Sequence, residues 1–273
     1  MTGALDAPDV RIGFTERGDS SWPPVVLIHG LGDDRSLWRH VVPVLARRHR
    51  VVAVDLPGHG ASDGVPEGAS IEWFATVISR FMDRAALQDA VVVGLSMGGG
   101  VAQYIALDPN ISLRGLVLVS TSPVFPEATR GRFLARADLA ERGGMASVLD
   151  ATVSRWFTPA FEAANAAEVE LTRSTVRLTD PIGFARASRA NADRDCTDRL
   201  ATIRCPVLFI AGRDDPADPR RAEAIYRQHI ERLKVHMLPD VSHLLPVEAP
   251  ERFLGELEAF LDALPVPARA GAT

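Results

Sequence analysis

The stretch Gly94-Leu95-Ser96-Met97-Gly98 holds a serine where it could act as a nucleophile. It follows the apolar run Ala90-Val91-Val92-Val93 and precedes Gly99 to Leu107, which has helical spacing. Strand, sharp turn, helix is the order that presents a serine hydroxyl above a sheet on a strained backbone. A side chain at either flanking glycine would collide with the neighbouring strand or helix. Met97 opens the helix, so its N–H points into the site with the positive end of the macrodipole and is a candidate oxyanion donor.

A serine hydroxyl attacks only when a base takes its proton, and the base needs a third group to fix its tautomer and offset its charge. Lys234 is the only lysine and lies on a predicted strand. Arginine cannot serve as the base near neutral pH. A histidine must therefore activate Ser96. His243, in Asp240-Val241-Ser242-His243, follows a predicted strand ending at Leu238. His40, His49 and His229 fall on stretches read as helical, and His236 lies within a strand. His29 and His59 lie in turns before Ser96, where they serve backbone geometry. The acid is expected in Gly212-Arg213-Asp214-Asp215-Pro216, after a strand ending at Ile210. Asp214 and Asp215 compete for it. Asp215 is favoured, from the position this motif usually takes, and Asp214 is left to face solvent or cap the turn. The second oxyanion donor is expected in His29-Gly30-Leu31-Gly32, at the N–H of Leu31.

The elements that must position these groups are legible as well. Val10–Glu16, Val25–Ile28, Val51–Val54, the run to Val93, Leu113–Ser120, 206–210 and 235–238 read as strands. Leu37–Leu45, Ile71–Leu87, Arg220–Glu231 and 250–264 read as helices. Short continuous apolar strands separated by helices predict a parallel sheet covered on both faces. From Pro123 to Asn191 no buried strand appears, and the Ala-, Arg- and Glu-rich stretch reads as inserted helices. At the carboxyl edge of a parallel sheet such an insertion would cover the ligand crevice. The expected division is a core of 1–122 and 192–273, with a helical cap, or lid, over 123–191. The tail 265–273 reads as a frayed end.

Bulk properties narrow the class. With 273 residues, 47% hydrophobic and 24% charged, the chain suits one soluble α/β domain with an insertion, or at most two domains. A formal charge of −5 offers no basic surface for nucleic acid. Cys196 and Cys205 have no metal-ligand or redox spacing, and two unlinked thiols fit a reducing compartment. Met1 to Asp9 carries no secretion signal, and no run is long enough to span a bilayer. The expectation is a cytoplasmic protein with a small-molecule substrate and no membrane or nucleic-acid partner. Oligomeric state is left open.

The chain resembles the α/β-hydrolase family. Leu27-Ile28-His29-Gly30, Asp55-Leu56-Pro57-Gly58-His59-Gly60-Ala61-Ser62, Gly94 to Gly99, Gly212 to Pro216 and Ser242-His243 carry the resemblance, in the family's order. It implies a mostly parallel eight-stranded sheet with helices on both faces and a lid inserted after the sixth strand. It also implies a Ser96–His243–Asp215 triad, with no cofactor and no metal. Within the family, Arg155-Trp156-Phe157-Thr158-Pro159-Ala160-Phe161, Thr179 to Phe184 and Ala190 to Asp193 look like the cap of 3-oxoadipate enol-lactonases. Those enzymes open an unsaturated lactone bearing a carboxylate during aromatic catabolism. Leu244-Leu245-Pro246-Val247-Glu248 and Gly99-Gly100-Val101 depart from that group. Trp156 and Phe157 are candidate lid-wall residues, Phe157 serving equally well as cap core. Arg155 is a candidate for a substrate carboxylate, through its bidentate fork. The leading expectation is a serine hydrolase of a small lactone or ester. Carbon–carbon hydrolases and cofactor-free perhydrolases share the scaffold, and a ligand-sensing protein with a slow triad is a third reading.

Overall fold

β-branched residues dominate the central strands because they fit a pleated surface buried on both sides. In the computed structural model, which describes residues 1–7 and 10–265, eight strands form one sheet. They are β1 (Thr2–Ala7), β2 (Val10–Arg17), β3 (Pro24–Ile28), β4 (Arg50–Val54), β5 (Val91–Leu95), β6 (Gly115–Val119), β7 (Val207–Gly212) and β8 (Leu233–Leu238). Their order is β1-β2-β4-β3-β5-β6-β7-β8. β1–β2 and β2–β4 are antiparallel, and every other pairing is parallel. Val26 pairs with Val92, and Val92 with Leu116, at the centre. Val91, Val92 and Val93 are all fully buried, so both faces of the sheet are covered.

The strand order places the crevice. From β3 the chain crosses to β4 on one side, and from β5 to β6 on the other. Chain directions therefore diverge at the carboxyl ends of adjacent β3 and β5, where a parallel sheet opens a ligand crevice.

The helices are α1 (Val42–Leu45), α2 (Ile71–Arg84), α3 (Met97–Ala106), α4 (Glu127–Gly143), α5 (Leu149–Val153), α6 (Pro159–Ala164), α7 (Ala166–Leu178), α8 (Pro181–Ala192), α9 (Pro219–His229), α10 (Leu245–Glu248) and α11 (Pro250–Ala263). Ser70 caps α2 by accepting from Trp73 N, and Phe74, Ile78 and Phe81 form its buried face. Helices α4 to α8 lie between β6 and β7, and α4 packs on α8. An antiparallel bridge between Val124 and Asp195 ties the two ends of this insertion together.

Some elements differ from the sequence reading. β1 was not among the strands placed; it is a largely exposed edge strand with Gly3 and Asp6 in it, so no apolar run marks it. Leu37–Leu45 is not one helix but a 3-10 turn over Arg35–Trp38 followed by α1. Pro43 has no N–H to give to an ongoing helix and sits instead in the first turn of a new one. His40 and His49 consequently lie in turns. Helix α8 runs to Ala192, one residue past the expected cap boundary. Residues 266–273 of the expected frayed tail lie outside the described residues. Cys196 and Cys205 are free, and burial pushes their thiols up to about 12 and about 11. Among the described residues no helix is long and apolar enough to cross a membrane.

Candidate active site

Ser96 is the single residue between β5 and α3, with φ 56° and ψ −111°. A non-glycine residue in such a conformation costs on the order of 1–3 kcal/mol and persists only when its surroundings hold it. Four bonds do so. Ser96 N donates to Val119 O at 2.9 Å. Ser96 O accepts from Gly100 N at 3.1 Å, Thr121 Oγ1 at 2.7 Å and Arg194 Nη1 at 3.2 Å. A Cβ on Gly94 would strike the Gly98 carbonyl, and one on Gly98 would strike the carbonyls of Ile28 and His29, as the sequence reading expected.

The loops after β7 and β8 bring in the acid and the imidazole. Asp215 Oδ2 lies 2.8 Å from His243 Nδ1, and Asp215 Oδ1 accepts from Ala217 N at 2.8 Å. Asp215 is buried, whereas Asp214 is exposed. The backbone explains the difference. Arg213 N donates to Leu238 O, and Asp214 N to Val241 O, which laces the acid loop to the histidine loop. The approach is so close that a Cβ on Gly212 would collide with the carbonyls of Val241 and Ser242. Ser96, Asp215 and His243 line one cavity of about 320 Å³. No hydrogen bond joins Ser96 Oγ to His243 in this structure. Such contacts often tighten only when substrate arrives.

Leu31 lies at the mouth of β3 and lines the same cavity, and Met97 is the first residue of α3. Among the described residues neither amide donates to a protein group. The next amide, Gly32 N, donates to His59 Nε2 at 3.0 Å. His59 Nδ1 in turn donates to Pro57 O at 3.0 Å. His29 behaves alike: Nδ1 donates to Gly30 O at 2.7 Å and Nε2 accepts from Leu56 N at 2.9 Å. Each ring thus uses one nitrogen as donor and the other as acceptor, which requires the neutral imidazole. Burial pushes His29 down to about 4 and His59 to about 3, the neighbouring ring adding to the fall at His59. These two histidines fix the Leu31 loop.

The helical insertion between β6 and β7 meets the histidine loop through Trp156, whose carbonyl accepts from His243 N and Leu244 N, both at 3.1 Å. Glu248 completes the seam. Its Oε1 accepts from Thr158 N at 2.9 Å and Thr158 Oγ1 at 2.6 Å, and its Oε2 from Ser242 N at 2.7 Å. Trp156 and Arg155 line the cavity. Phe157 is not among the lining residues. It is buried in the helical insertion, stacked on Phe161 with centroids 5.1 Å apart, so its side chain packs within that insertion.

The cavity wall also holds residues the sequence reading did not single out. Asp33 is buried and lines the cavity, its Oδ1 accepting from Asp34 N at 2.9 Å. Burial pushes its carboxyl up to about 7. Arg194 is buried behind Ser96, donating also to Asn191 Oδ1 at 2.7 Å and Thr121 Oγ1 at 3.1 Å, with its guanidinium 4.4 Å from the Phe125 ring centre. Arg132 and Arg136, on α4 of the helical insertion, also line the cavity. Nothing in the local sequence separates these arginines from the many that face solvent.

A family model described as the alpha/beta hydrolase family matches residues 25–256. The chain is 29% identical over 247 residues to 3-oxoadipate enol-lactonase 1 of Acinetobacter baylyi, covering 90% of this chain and 91% of that protein. Its fold superposes on an enol-lactonase from Burkholderia xenovorans LB400 with a TM-score of 0.90 at 26% identity, covering 95% of this chain and all of the other. A thermophilic esterase from Thermogutta terrifontis, solved with malate bound, matches with a TM-score of 0.87 at 29% identity over 96% of this chain and 98% of its own.

Proposed function

This chain belongs to the alpha/beta hydrolase family, and on that premise we propose that it hydrolyses small carboxylic esters or lactones through a Ser96–His243–Asp215 relay. An enol-lactone-like substrate is the leading member of that class. The reading rests above all on the 2.8 Å contact between His243 Nδ1 and Asp215 Oδ2, in a cavity that Ser96 also lines. Similarity to an enol-lactonase and an esterase supports the bond type.

The chemistry follows from the roles. His243 Nε2 takes the Ser96 hydroxyl proton as Oγ attacks the carbonyl carbon. Asp215 stays ionised, holds Nδ1–H and offsets the charge that develops on the ring. The N–H groups of Leu31 and Met97 receive the oxyanion, each contributing about 3 kcal/mol of barrier lowering. The imidazolium then protonates the leaving oxygen, the alkoxy part departs or swings away as a ring-opened chain, and Ser96 carries the acyl group. Water gives its proton to His243 and attacks the acyl carbon; the bond to Ser96 Oγ breaks, Oγ takes that proton back from the imidazolium, and the acid is freed. Residues 123–191 act as the cap over this cavity, with Trp156 as an apolar wall.

The test is a fluorophosphonate probe read by intact mass, together with a panel of enol-lactones, aryl esters and vinylogous diketones. The proposal expects one adduct on Ser96, none on Ser96→Ala, and turnover of lactone or ester ahead of the diketone. Labelling at another residue, or turnover that survives Ser96→Ala, defeats it.

A further inference from the structure

Several arginines on the outer side of the cap pair with carboxylates. Arg130 pairs with Asp193, Arg173 with Asp150, and Arg189 with Asp138 and Glu141. Those facing the cavity do not. Arg132, on the same helix as Arg130, bonds only Thr129 Oγ1 at 2.8 Å. Arg136 lies against the Phe133 ring, 4.8 Å from its centre, with Nε buried and without an acceptor. Arg155 makes no side-chain hydrogen bond. Among the described residues none of the three reaches a carboxylate within ion-pair distance. Burial pushes Arg136 down to about 10 and lowers Arg155, and the arginines' mutual repulsion adds to both.

Arg132 is exposed at the rim, whereas Arg136 and Arg155 are partly buried, and partly desolvated like charges on one wall are unfavourable unless something neutralises them. Two carboxyl groups line the cavity and neither pairs with the cluster; Asp215 attracts Arg155 only from beyond ion-pair distance. Asp215 is engaged by His243, and Asp33 sits on the oxyanion-loop side with its ionised form disfavoured by burial. Arg194 adds a fourth guanidinium to the wall, but its bonds to Ser96, Asn191 and Thr121 commit it to the protein. The cap side of the cavity therefore carries three uncommitted positive forks. One carboxylate has about four acceptor positions, whereas each guanidinium offers five N–H donors. A single carboxylate would leave much of the cluster unanswered.

We infer that Arg132, Arg136 and Arg155 form an anion subsite in the cap wall, and that the preferred substrates are esters or lactones carrying two carboxylates. This rests on the hydrolase reading for the bond cleaved, but the subsite can be tested without turnover. Calorimetry on the full chain and on Ser96→Ala would compare butyrate, glutarate and tricarballylate, which carry one, two and three carboxylates. A charge-assisted hydrogen bond is worth about 1.5–3 kcal/mol, so affinity should rise about tenfold or more from butyrate to glutarate. The double variant Arg136→Gln/Arg155→Gln should lower glutarate and tricarballylate affinity at least about tenfold more than butyrate affinity. Equal affinity of the unaltered protein for butyrate and glutarate overturns the subsite, whatever the variants do. So does an equal loss for all three acids in the double variant.

A kinetic arm separates the two proposals. 4-Nitrophenyl butyrate is neutral, the glutarate monoester bears one charge and the tricarballylate monoester two. A kcat/KM that climbs with charge supports both proposals. Hydrolysis of all three at similar kcat/KM keeps the hydrolase and removes the subsite. Tight polycarboxylate binding with no hydrolysis of any ester keeps the subsite and removes the hydrolase.

Discussion

Arg194 Nη1 donates to the backbone carbonyl of Ser96, 98 residues away in sequence, at 3.2 Å. The same oxygen accepts from Thr121 Oγ1, to which Arg194 Nη2 also donates. A buried cation with no carboxylate partner thus braces the strained peptide that aims the candidate nucleophile. Its planar fork suits this task, because one group reaches three acceptors in fixed directions.

Arg194→Met should lower kcat by roughly tenfold to a hundredfold, since small misplacement of a reacting group costs that much. KM for a neutral ester should move far less. Arg194→Lys should not restore kcat, because an ammonium cannot reproduce the fork. Stopped-flow measurement of the acylation burst checks this. An unaltered burst rate in folded Arg194→Met would show that Gly100 N and Thr121 hold the elbow unaided.

The two adjacent aspartates should separate sharply. Asp215→Asn leaves the imidazole without its anion and should cost about 10⁴ in kcat, by analogy with the same change in other triads. Asp214 is exposed, and Asp214→Asn should stay within about threefold, as surface substitutions do. Steady-state rates on one ester decide it, and a larger loss from Asp214→Asn would reverse the acid assignment.

His59 holds Gly32 N, one residue past the proposed Leu31 donor. His59→Ala leaves that buried amide without its acceptor, a loss of about 1–3 kcal/mol in stability. It should also lower kcat more than it raises KM, because the oxyanion is made only on the reaction path. Both depressed histidines remain neutral in the folded state while the unfolded chain takes up protons below about 6.5. Their share of stability is therefore present above that pH and is lost as pH falls toward about 4 for His29 and about 3 for His59. Urea unfolding between pH 7 and 4 should show the loss, with a shallower slope in His59→Ala. An identical slope in the variant would contradict it.

Asp33 acts in the opposite sense. Its folded value of about 7 lies above the ordinary 3.8, so the folded state keeps a proton that the unfolded chain releases. The resulting stability is fully present below about pH 4 and is lost as pH rises through about 7. Asp33→Asn should therefore gain stability relative to the unaltered chain between pH 4.5 and pH 8, by on the order of 2 kcal/mol. Comparing the two pH values cancels any fixed cost of the amide. A stability difference independent of pH would place the Asp33 carboxyl in a more solvated setting than the cavity wall.

The order strand, elbow, helix was legible because each piece follows from nearest neighbours in the chain. β-branched residues make the strand, glycines admit the tight turn, and Met97 opens the helix directly after Ser96. The acid and histidine loops were legible for the same reason: each follows a recognisable apolar strand. β1 was not, since an exposed edge strand carries no apolar run, and Pro43 broke a helix that apolar spacing alone would have continued.

By itself, then, the sequence determined the sheet's central strands, the elbow and the strand-end loops that hold Asp215 and His243, because these depend on short-range sterics and hydrophobic periodicity. Tertiary structure decided which aspartate meets His243, that Phe157 faces Phe161 rather than the cavity, and that Arg194 stands behind Ser96. It also decided which of the arginines lack a counter-charge. Gly100 illustrates the limit: only the fold shows that a Cβ there would strike the Arg194 guanidinium. Burial, charge pairing and side-chain direction depend on segments brought together from opposite ends of the chain, and no local pattern of residues encodes them.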